Sequence, residues 1–207
     1  MDDILRGLAK VIRPAMLAIA PPLDSGRPPT RAVFEALKKA RPAIAKRFGA
    51  PVLCRYSGCP EGPAKGYSKG GRAFKVLEYL WDFSFSRYAI PQAIEDPEAK
   101  PMGDGKFELL FVAESEMGTK NEICRDLLKL LEARTSIRCL VYRQPRRSRD
   151  RQEFEARMIR VLHNHAYFQR RPGIWLFVAL TWTHQKIECD LYTLDEELDR
   201  LVPVRTA

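Results

Sequence analysis

A β-strand, a capped helix and a second β-strand follow one another in the middle of this 207-residue chain. The run 107–116 has the aromatic and aliphatic content of a buried strand. Thr119 then pairs with Glu122 in the spacing of a capping box, and apolar residues recur at helical spacing over 120–134. A short strand, 136–142, comes next. This order predicts a right-handed β-α-β crossover with the helix packed on a sheet, which constrains the fold more than any other feature.

Further helices and strands are predicted around this unit. Three more helical regions follow from apolar spacing: 2–20, a stretch that begins at Thr30 and is kinked or split by Pro42, and 152–168. Three more strands follow from apolar and β-branched runs: 74–85 and a hairpin of 174–182 with 186–194. Glycine and proline predict irregular structure over 51–73 and 89–106. We therefore expect a mixed α/β fold, with a helical N-terminal segment, 1–50, packed on an α/β domain, 51–207, as a single unit.

Two glutamates close the first strand of the β-α-β unit. Side chains alternate between the two faces of a strand, so Glu114 and Glu116 should share one face with Leu110 and Val112. Their carboxylates would then lie about 7 Å apart. Two charges at the end of a buried strand are costly unless a cation lies between them. Because carboxylate oxygens suit divalent metal ions, the pair predicts a metal site.

Asp82 adds a third acid from the predicted strand 74–85. If the two strands pair antiparallel, Asp82, Glu114 and Glu116 converge at one end of the sheet, beside the start of the helix. Such a set leaves positions on Mg²⁺ or Mn²⁺ for water and for phosphate oxygens. The ion would lower the pKa of a bound water and neutralise charge at a scissile phosphate.

A structural explanation of the same acids is also open. Glu114 and Glu116 would then form the exposed end of an edge strand, paired with Lys120 or with arginines. Asp82 would hydrogen-bond the backbone at a strand end. Glu122 has a structural role in either case, because the capping box uses its carboxylate.

A strand carrying an aspartate, a strand ending in acid-x-acid, a helix and a further strand resemble the core of the PD-(D/E)XK nucleases, over about 74–142. The resemblance implies a restriction-endonuclease-like mixed central sheet flanked by helices. It also implies that Asp82 and Glu114 bind Mg²⁺ and that residue 116 helps to activate the attacking water. That family usually has lysine where Glu116 stands, so Glu116 would bind the water or a second metal. Lys120, one helical turn past the strand, would supply the positive charge.

The charge of the chain favours an anionic partner. It carries 35 Lys and Arg against 26 Asp and Glu, a formal net charge of +9. This balance is typical of nucleic-acid-binding proteins, and the resemblance to the nucleases implies DNA in preference to RNA. The candidate nucleic-acid-binding residues lie in two basic stretches: Arg55, Lys65, Lys69, Arg72, Arg143, Arg146, Arg147 and Arg149. A homodimer that cuts both strands is left open.

Location and cysteine usage give weaker expectations. No run approaches the 18 or so apolar residues that a membrane helix needs, and the start Met1-Asp2-Asp3 does not resemble a signal peptide. We expect a cytoplasmic protein without a membrane partner. Five scattered cysteines fit reduced thiols, and half of a zinc site at Cys54 and Cys59 is the less favoured alternative.

The leading functional hypothesis is a metal-dependent phosphodiesterase that cuts DNA. The first alternative is a non-catalytic nucleic-acid-binding or assembly protein with a nuclease-like fold, whose function lies in the basic stretches. The second is a basic protein–protein interaction module that binds no nucleic acid.

Overall fold

The structure is a computed structural model that describes residues 3–20, 30–49, 52–56, 82–86, 109–165, 168, 173–183, 186–195 and 197–204. The helices in these ranges are α1 (Asp3–Leu17), α2 (Thr30–Lys38), α3 (Arg41–Phe48), α4 (Lys120–Glu132) and α5 (Ser148–His163). The strands are β1 (Leu53–Tyr56), β2 (Phe83–Ser86), β3 (Leu109–Glu116), β4 (Thr135–Arg143), β5 (Ile174–Trp182), β6 (Ile187–Leu194) and β7 (Leu201–Pro203). None of the described helices is long and apolar enough to cross a bilayer.

All seven described strands form one mixed sheet, in which their order from edge to edge is the same as their order in the chain. The central pairs β3–β4 and β4–β5 are parallel. The outer pairs β1–β2, β2–β3, β5–β6 and β6–β7 are antiparallel. Helix α4 connects the first parallel pair and α5 the second, so the predicted β-α-β unit is confirmed. The antiparallel pairing of β5 with β6 confirms the predicted hairpin.

Helices cover both faces of the sheet and give two separate hydrophobic cores. Side chains of α1, α2 and α3 pack with one face of the sheet, which includes Phe111 and Val141. Side chains of α4 and α5 pack with the other face, which includes Val112 and Leu140. Consecutive residues of β5 from Trp175 to Leu180 enter opposite cores, because both faces of the sheet are covered.

The C-terminal end of α4 is held by a buried arginine from β4. Arg138 Nε donates to Leu130 O at 2.9 Å, and Nη2 donates to Ala133 O at 2.8 Å. The guanidinium also lies 5.4 Å from the Trp175 ring centroid. Gly173, at φ 57°, leaves room for this group, because a Cβ there would collide with Arg138 Nη1. A cation at carbonyls that end a helix is favourable, so Arg138 fixes the position of α4 on the sheet.

Several boundaries differ from the sequence-based expectations. Pro42 does split the second predicted helical region, and it lies in the first turn of α3, where its missing N–H costs nothing. The segment predicted to be irregular over 51–73 contains β1, which pairs with β2. The predicted strand 74–85 is described only from Asp82, a bend residue before β2. Residues 57–81 and 89–106 lie outside the described ranges.

Two further corrections affect side chains near the site. Leu110 packs in the core of α1–α3, not on the face of Val112 and Glu114, and the pairing of β2 with β3 is irregular at this point. Helix α5 begins at Ser148 and not at 152, which places Arg149 in the helix instead of the preceding loop.

Candidate functional site

The predicted acids meet at one end of the sheet. Strand β3 ends at Glu116, and Asp82 immediately precedes β2, whose Phe83 pairs with Ala113. Because β2 and β3 are antiparallel, the start of β2 and the end of β3 are neighbours. The carboxyl ends of the parallel strands β4 and β5 lie at this same end of the sheet, which is where α/β sheets commonly bind ligands.

Asp82 is anchored to the neighbouring strand through its carboxylate. Ser115 N donates to Asp82 Oδ2 at 3.0 Å. This is the hydrogen bond to the backbone that the structural explanation of Asp82 predicts. Burial raises the pKa of Asp82, and the negative charges of Asp126 and Glu116 act in the same direction. The Ser115 bond and Lys129 oppose that rise. A carboxylate has a second oxygen, so this anchor orients Asp82 without excluding metal binding.

Glu114 is the most deeply buried acid of the group. Its side chain is 1% exposed, and Oε2 receives a 3.4 Å contact from Lys129 Nζ. Oε1 has no hydrogen-bond partner among the residues that the structure describes. Burial raises the pKa of Glu114 to about 8, and the charges of Asp82 and Asp126 add to the effect. A buried carboxyl of this kind needs either a proton or a cation.

Helix α4 contributes two charged residues that the sequence analysis did not identify. Asp126 is buried, and its Oδ1 accepts from Lys129 Nζ at 2.7 Å. Burial lowers the pKa of Lys129, but the Asp126 hydrogen bond and the charge of Glu114 outweigh it, so the pKa is raised. Asp126 follows Ile123 by three residues and precedes Leu130 by four. An acid within the apolar stripe of an amphipathic helix was the signal that could have found it.

Glu116 is folded back onto the turn that follows β3. Its Oε1 accepts from Gly118 N at 2.6 Å. The predicted capping box is confirmed, because Thr119 N donates to Glu122 Oε2 at 2.6 Å and Glu122 N to Thr119 Oγ1 at 3.3 Å. A Cβ on Gly118 would collide with the carboxylates of both Glu116 and Glu122, so a larger residue there would displace these two side chains.

The cation that contacts Glu114 is Lys129 and not the predicted Lys120. Lys120 is exposed at the first residue of α4. Lys129 follows Lys120 by nine positions, which corresponds to about 13.5 Å along the helix axis.

The closest three-carboxylate group in the described residues lies elsewhere. Ligand oxygens of Asp195, Glu197 and Asp199 all lie within 4.8 Å of one another, in the turn between β6 and β7. Asp195 already accepts from Arg200 Nε at 2.8 Å and from Asp199 N at 3.0 Å, so this group is an internally bonded turn. The predicted set of Asp82, Glu114 and Glu116 does not reach that spacing with the side chains as they stand.

Buried polar atoms continue along β4 beside Glu116. Tyr142 pairs in register with Glu116, and its hydroxyl has no hydrogen-bond partner among the described residues. The same holds for Gln144 Oε1, while Gln144 Nε2 donates to Tyr192 OH at 3.3 Å. The carboxyl end of the sheet therefore carries polar groups over several strands.

The basic residues predicted to bind nucleic acid fall into two groups. Arg143 lies 5.1 Å from the Trp182 ring centroid, Arg146 Nη2 donates to Trp182 O at 2.7 Å, and Arg149 pairs with Glu153 at 3.0 Å. These side chains and Arg147 lie between the end of β4 and the first turn of α5, at the same sheet end as the acids. Arg55 lies in β1, and Lys65, Lys69 and Arg72 lie outside the described residues.

Acids and arginines therefore both lie at the carboxyl end of the sheet, where Glu114 is buried and contacts Lys129. No family model, curated protein or solved structure matches the chain.

Proposed function

We propose that this chain is a metal-dependent phosphodiesterase that acts on DNA, with Asp82 and Glu114 as the ligands of Mg²⁺ or Mn²⁺. The observation that carries the proposal is Glu114 Oε1, a buried oxygen without a hydrogen-bond partner among the described residues. Asp82 and Asp126 act on the same carboxyl and raise its pKa. A divalent cation would relieve the repulsion between these acids and satisfy the open oxygen.

Few protein ligands are needed at such a site. Mg²⁺ in phosphoryl-transfer sites is commonly held by one or two carboxylates, with waters and phosphate oxygens completing an octahedron. Asp82 and Glu114 supply that number. Glu116 would join them by rotating away from Gly118 N–H. When bound, the ion would lower the pKa of a water and neutralise charge on the phosphate.

Lys129 takes the role that the sequence analysis gave to Lys120. Its ammonium contacts Glu114 and Asp126, and its side chain is 47% exposed, so it reaches both the buried acids and solvent. An ammonium in this position favours the ionised form of Glu114 and stabilises negative charge at a nearby phosphate.

The order of elements also supports a nuclease-like core. Asp82 lies at the start of β2, the acid-x-acid pair ends β3, and α4 leads to the parallel strand β4. A restriction-endonuclease-like fold is our interpretation of this order. Exposed Arg143 and Arg147 at the same sheet end would contact the phosphates that flank the cut.

Cleavage of supercoiled plasmid DNA in Mg²⁺ tests the proposal. We expect the wild type to nick the plasmid and Glu114→Gln to be slower by at least about 100-fold, since it loses the central ligand. Glu197→Gln is the matched control, because it removes one acid from the turn group, and it should cut like the wild type. Equal nicking by the wild type and Glu114→Gln would contradict the proposal.

A non-catalytic DNA-binding protein is the second candidate. It is favoured by the Gly118 bond of Glu116 and by the contact of Glu114 with Lys129, which gives the acids an internal counter-ion. This candidate predicts salt-sensitive DNA binding that needs no metal and is unchanged in Glu114→Gln.

A further inference from the structure

A groove of about 520 Å³ lies between α1 and α3, on the face of the sheet opposite α4 and α5. Its basic walls come from both helices: Arg6 and Lys10 from α1, and Lys46 and Arg47 from α3. All four of these side chains belong to exposed residues. The groove shares no residue with the acidic site and does not depend on the function proposed for it.

The charge of the groove is strongly unbalanced. Asp3 is the acid among its lining residues, and it pairs with Arg6. The hydrogen bond from Arg6 holds the pKa of Asp3 below its ordinary value, and the charges of Arg6 and Lys46 act in the same direction. Four cations against one ionised acid leave the groove with a net positive charge. Such a concentration of like charge attracts small anions.

The spacing of the residues explains why the cations face one space. On α1, Arg6 and Lys10 lie four residues apart, so they share one side of the helix, and Lys46 follows Ala43 by three on α3. Gly7 and Ala43 face each other across the two helices, because a Cβ on Gly7 would lie 3.7 Å from the Ala43 Cβ. Small residues at this crossing bring the two basic rows close together.

We propose that this groove binds a small anion with two or more phosphate groups, such as the phosphate chain of a nucleotide. Arginine suits phosphate through its planar fork, and lysine binds it as a point charge. The volume lies within the range of small-molecule sites, about 300–1,000 Å³. Cations on both walls match a ligand that enters between the helices, which a nucleic-acid duplex is too wide to do.

Isothermal titration calorimetry with inorganic tripolyphosphate at 0.15 M salt tests the proposal. The variant Lys10→Gln/Lys46→Gln removes one cation from each wall. Its affinity should fall by roughly tenfold or more, since each charge-assisted hydrogen bond makes a substantial contribution. Lys39→Gln/Arg160→Gln removes the same charge from exposed positions outside the groove and should bind like the wild type.

Two further measurements make the result decisive. Lys10→Arg/Lys46→Arg keeps the charge and should retain binding, and thermal denaturation should give the same Tm for all variants, because the changes are on the surface. Equal affinity in the two glutamine variants would overturn the proposal, and so would the absence of tripolyphosphate binding to the wild type. If Lys10→Gln/Lys46→Gln loses affinity for a short DNA duplex but not for tripolyphosphate, the groove binds nucleic acid, and the small-anion site is rejected.

Discussion

At the scale of single residues, Glu114 determines what the acidic site can do. Its buried carboxyl contacts the ammonium of Lys129, and the charges of Asp82 and Asp126 also act on it. In the proposed metal site, a proton and a divalent cation would therefore compete for this carboxyl. Removing one methylene or one charge at this position should change the behaviour of the whole site.

The pH dependence of stability should reveal the proton on Glu114. Its pKa rises from 4.5 to about 8 on folding, so the folded state holds the proton more tightly than the unfolded state. The stabilisation is complete below about pH 4.5 and is lost as the pH rises to about 8. Glu114→Gln has no carboxyl at this position and does not lose stability in this way. In EDTA, the unfolding free energy of Glu114→Gln minus that of the wild type should therefore increase by on the order of a few kcal/mol between pH 5 and pH 8.

Urea denaturation of both proteins at pH 5, 6.5 and 8 measures this difference. Asp82, whose pKa is also raised, titrates in both proteins and cancels to first order in the comparison. A difference in unfolding free energy that stays constant over the three pH values would show that Glu114 does not titrate in this range.

At the scale of elements, α4 is the part of the molecule that completes the site. It is fixed at its N-terminus by the capping box and at its C-terminus by Arg138. Between these two ends it places Asp126 and Lys129 over the end of β3. The geometry of the acids therefore depends on contacts at both ends of the helix.

Arg138→Leu should destabilise the protein by about 2–4 kcal/mol, because it removes the buried hydrogen bonds to Leu130 O and Ala133 O. Leu130 O keeps a further donor, Ala133 N. Arg138→Lys should recover only part of this loss, since one ammonium cannot reproduce the two bonds of the planar fork. Guanidinium denaturation measures both variants, and the exposed substitution Arg160→Gln serves as the control, with an expected change within about 0.5 kcal/mol. If Arg138→Leu is no less stable than this control, α4 is held by other contacts.

The elements differ in how far local sequence predicts them. Helix α4 and its first turn follow from Thr119 and Glu122, because a capping box is a local hydrogen-bond pattern. Strand β1 was missed because its residues gain their structure from pairing with β2, which lies far along the chain. Of the predicted strand 74–85, the described part is Asp82, a bend residue, and Phe83–Phe85, which lie in β2. A continuous apolar run contains no mark of where a strand begins.

Similar reasons limited the prediction of the site. Asp82, Glu114 and Glu116 were found by alternation along strands, which is a local rule. Lys129 was missed because its contact with Glu114 joins a helix to a strand, which no local rule predicts. Asp126 did have a local signal, its place within the apolar stripe of α4, which the sequence-based prediction left unused. Lys120 was chosen by its nearness in sequence, whereas the side chain that reaches Glu114 comes from more than two helical turns later.

At the scale of the whole molecule, charged side chains are concentrated in two places. The acids and Arg143, Arg146 and Arg147 lie at the carboxyl end of the parallel strands, and the basic groove lies on the α1–α3 side. The positive side chains behind the net charge of +9 therefore lie in more than one place. Substitutions can remove the charges in either place without altering the other.

DNA binding should depend on the arginines at the carboxyl end of the sheet. Arg143→Gln/Arg147→Gln should lower the slope of log affinity against log salt by about 2 in magnitude, one for each lost phosphate contact. Lys39→Gln/Arg160→Gln has the same change in net charge and should keep the wild-type slope. Fluorescence anisotropy with a labelled duplex over a series of salt concentrations measures both slopes. Identical slopes in the two variants would show that DNA does not contact Arg143 and Arg147.

The order of strands in the sheet also bears on how the chain assembles during synthesis. Each described strand pairs with the strand before it, so no strand has to insert between two that are already paired. The sheet can grow at one edge as the ribosome releases the chain, in the direction from N-terminus to C-terminus. Glu114 would emerge before the helix that carries Lys129, so a nascent chain passes through a stage in which this acid is still exposed to water.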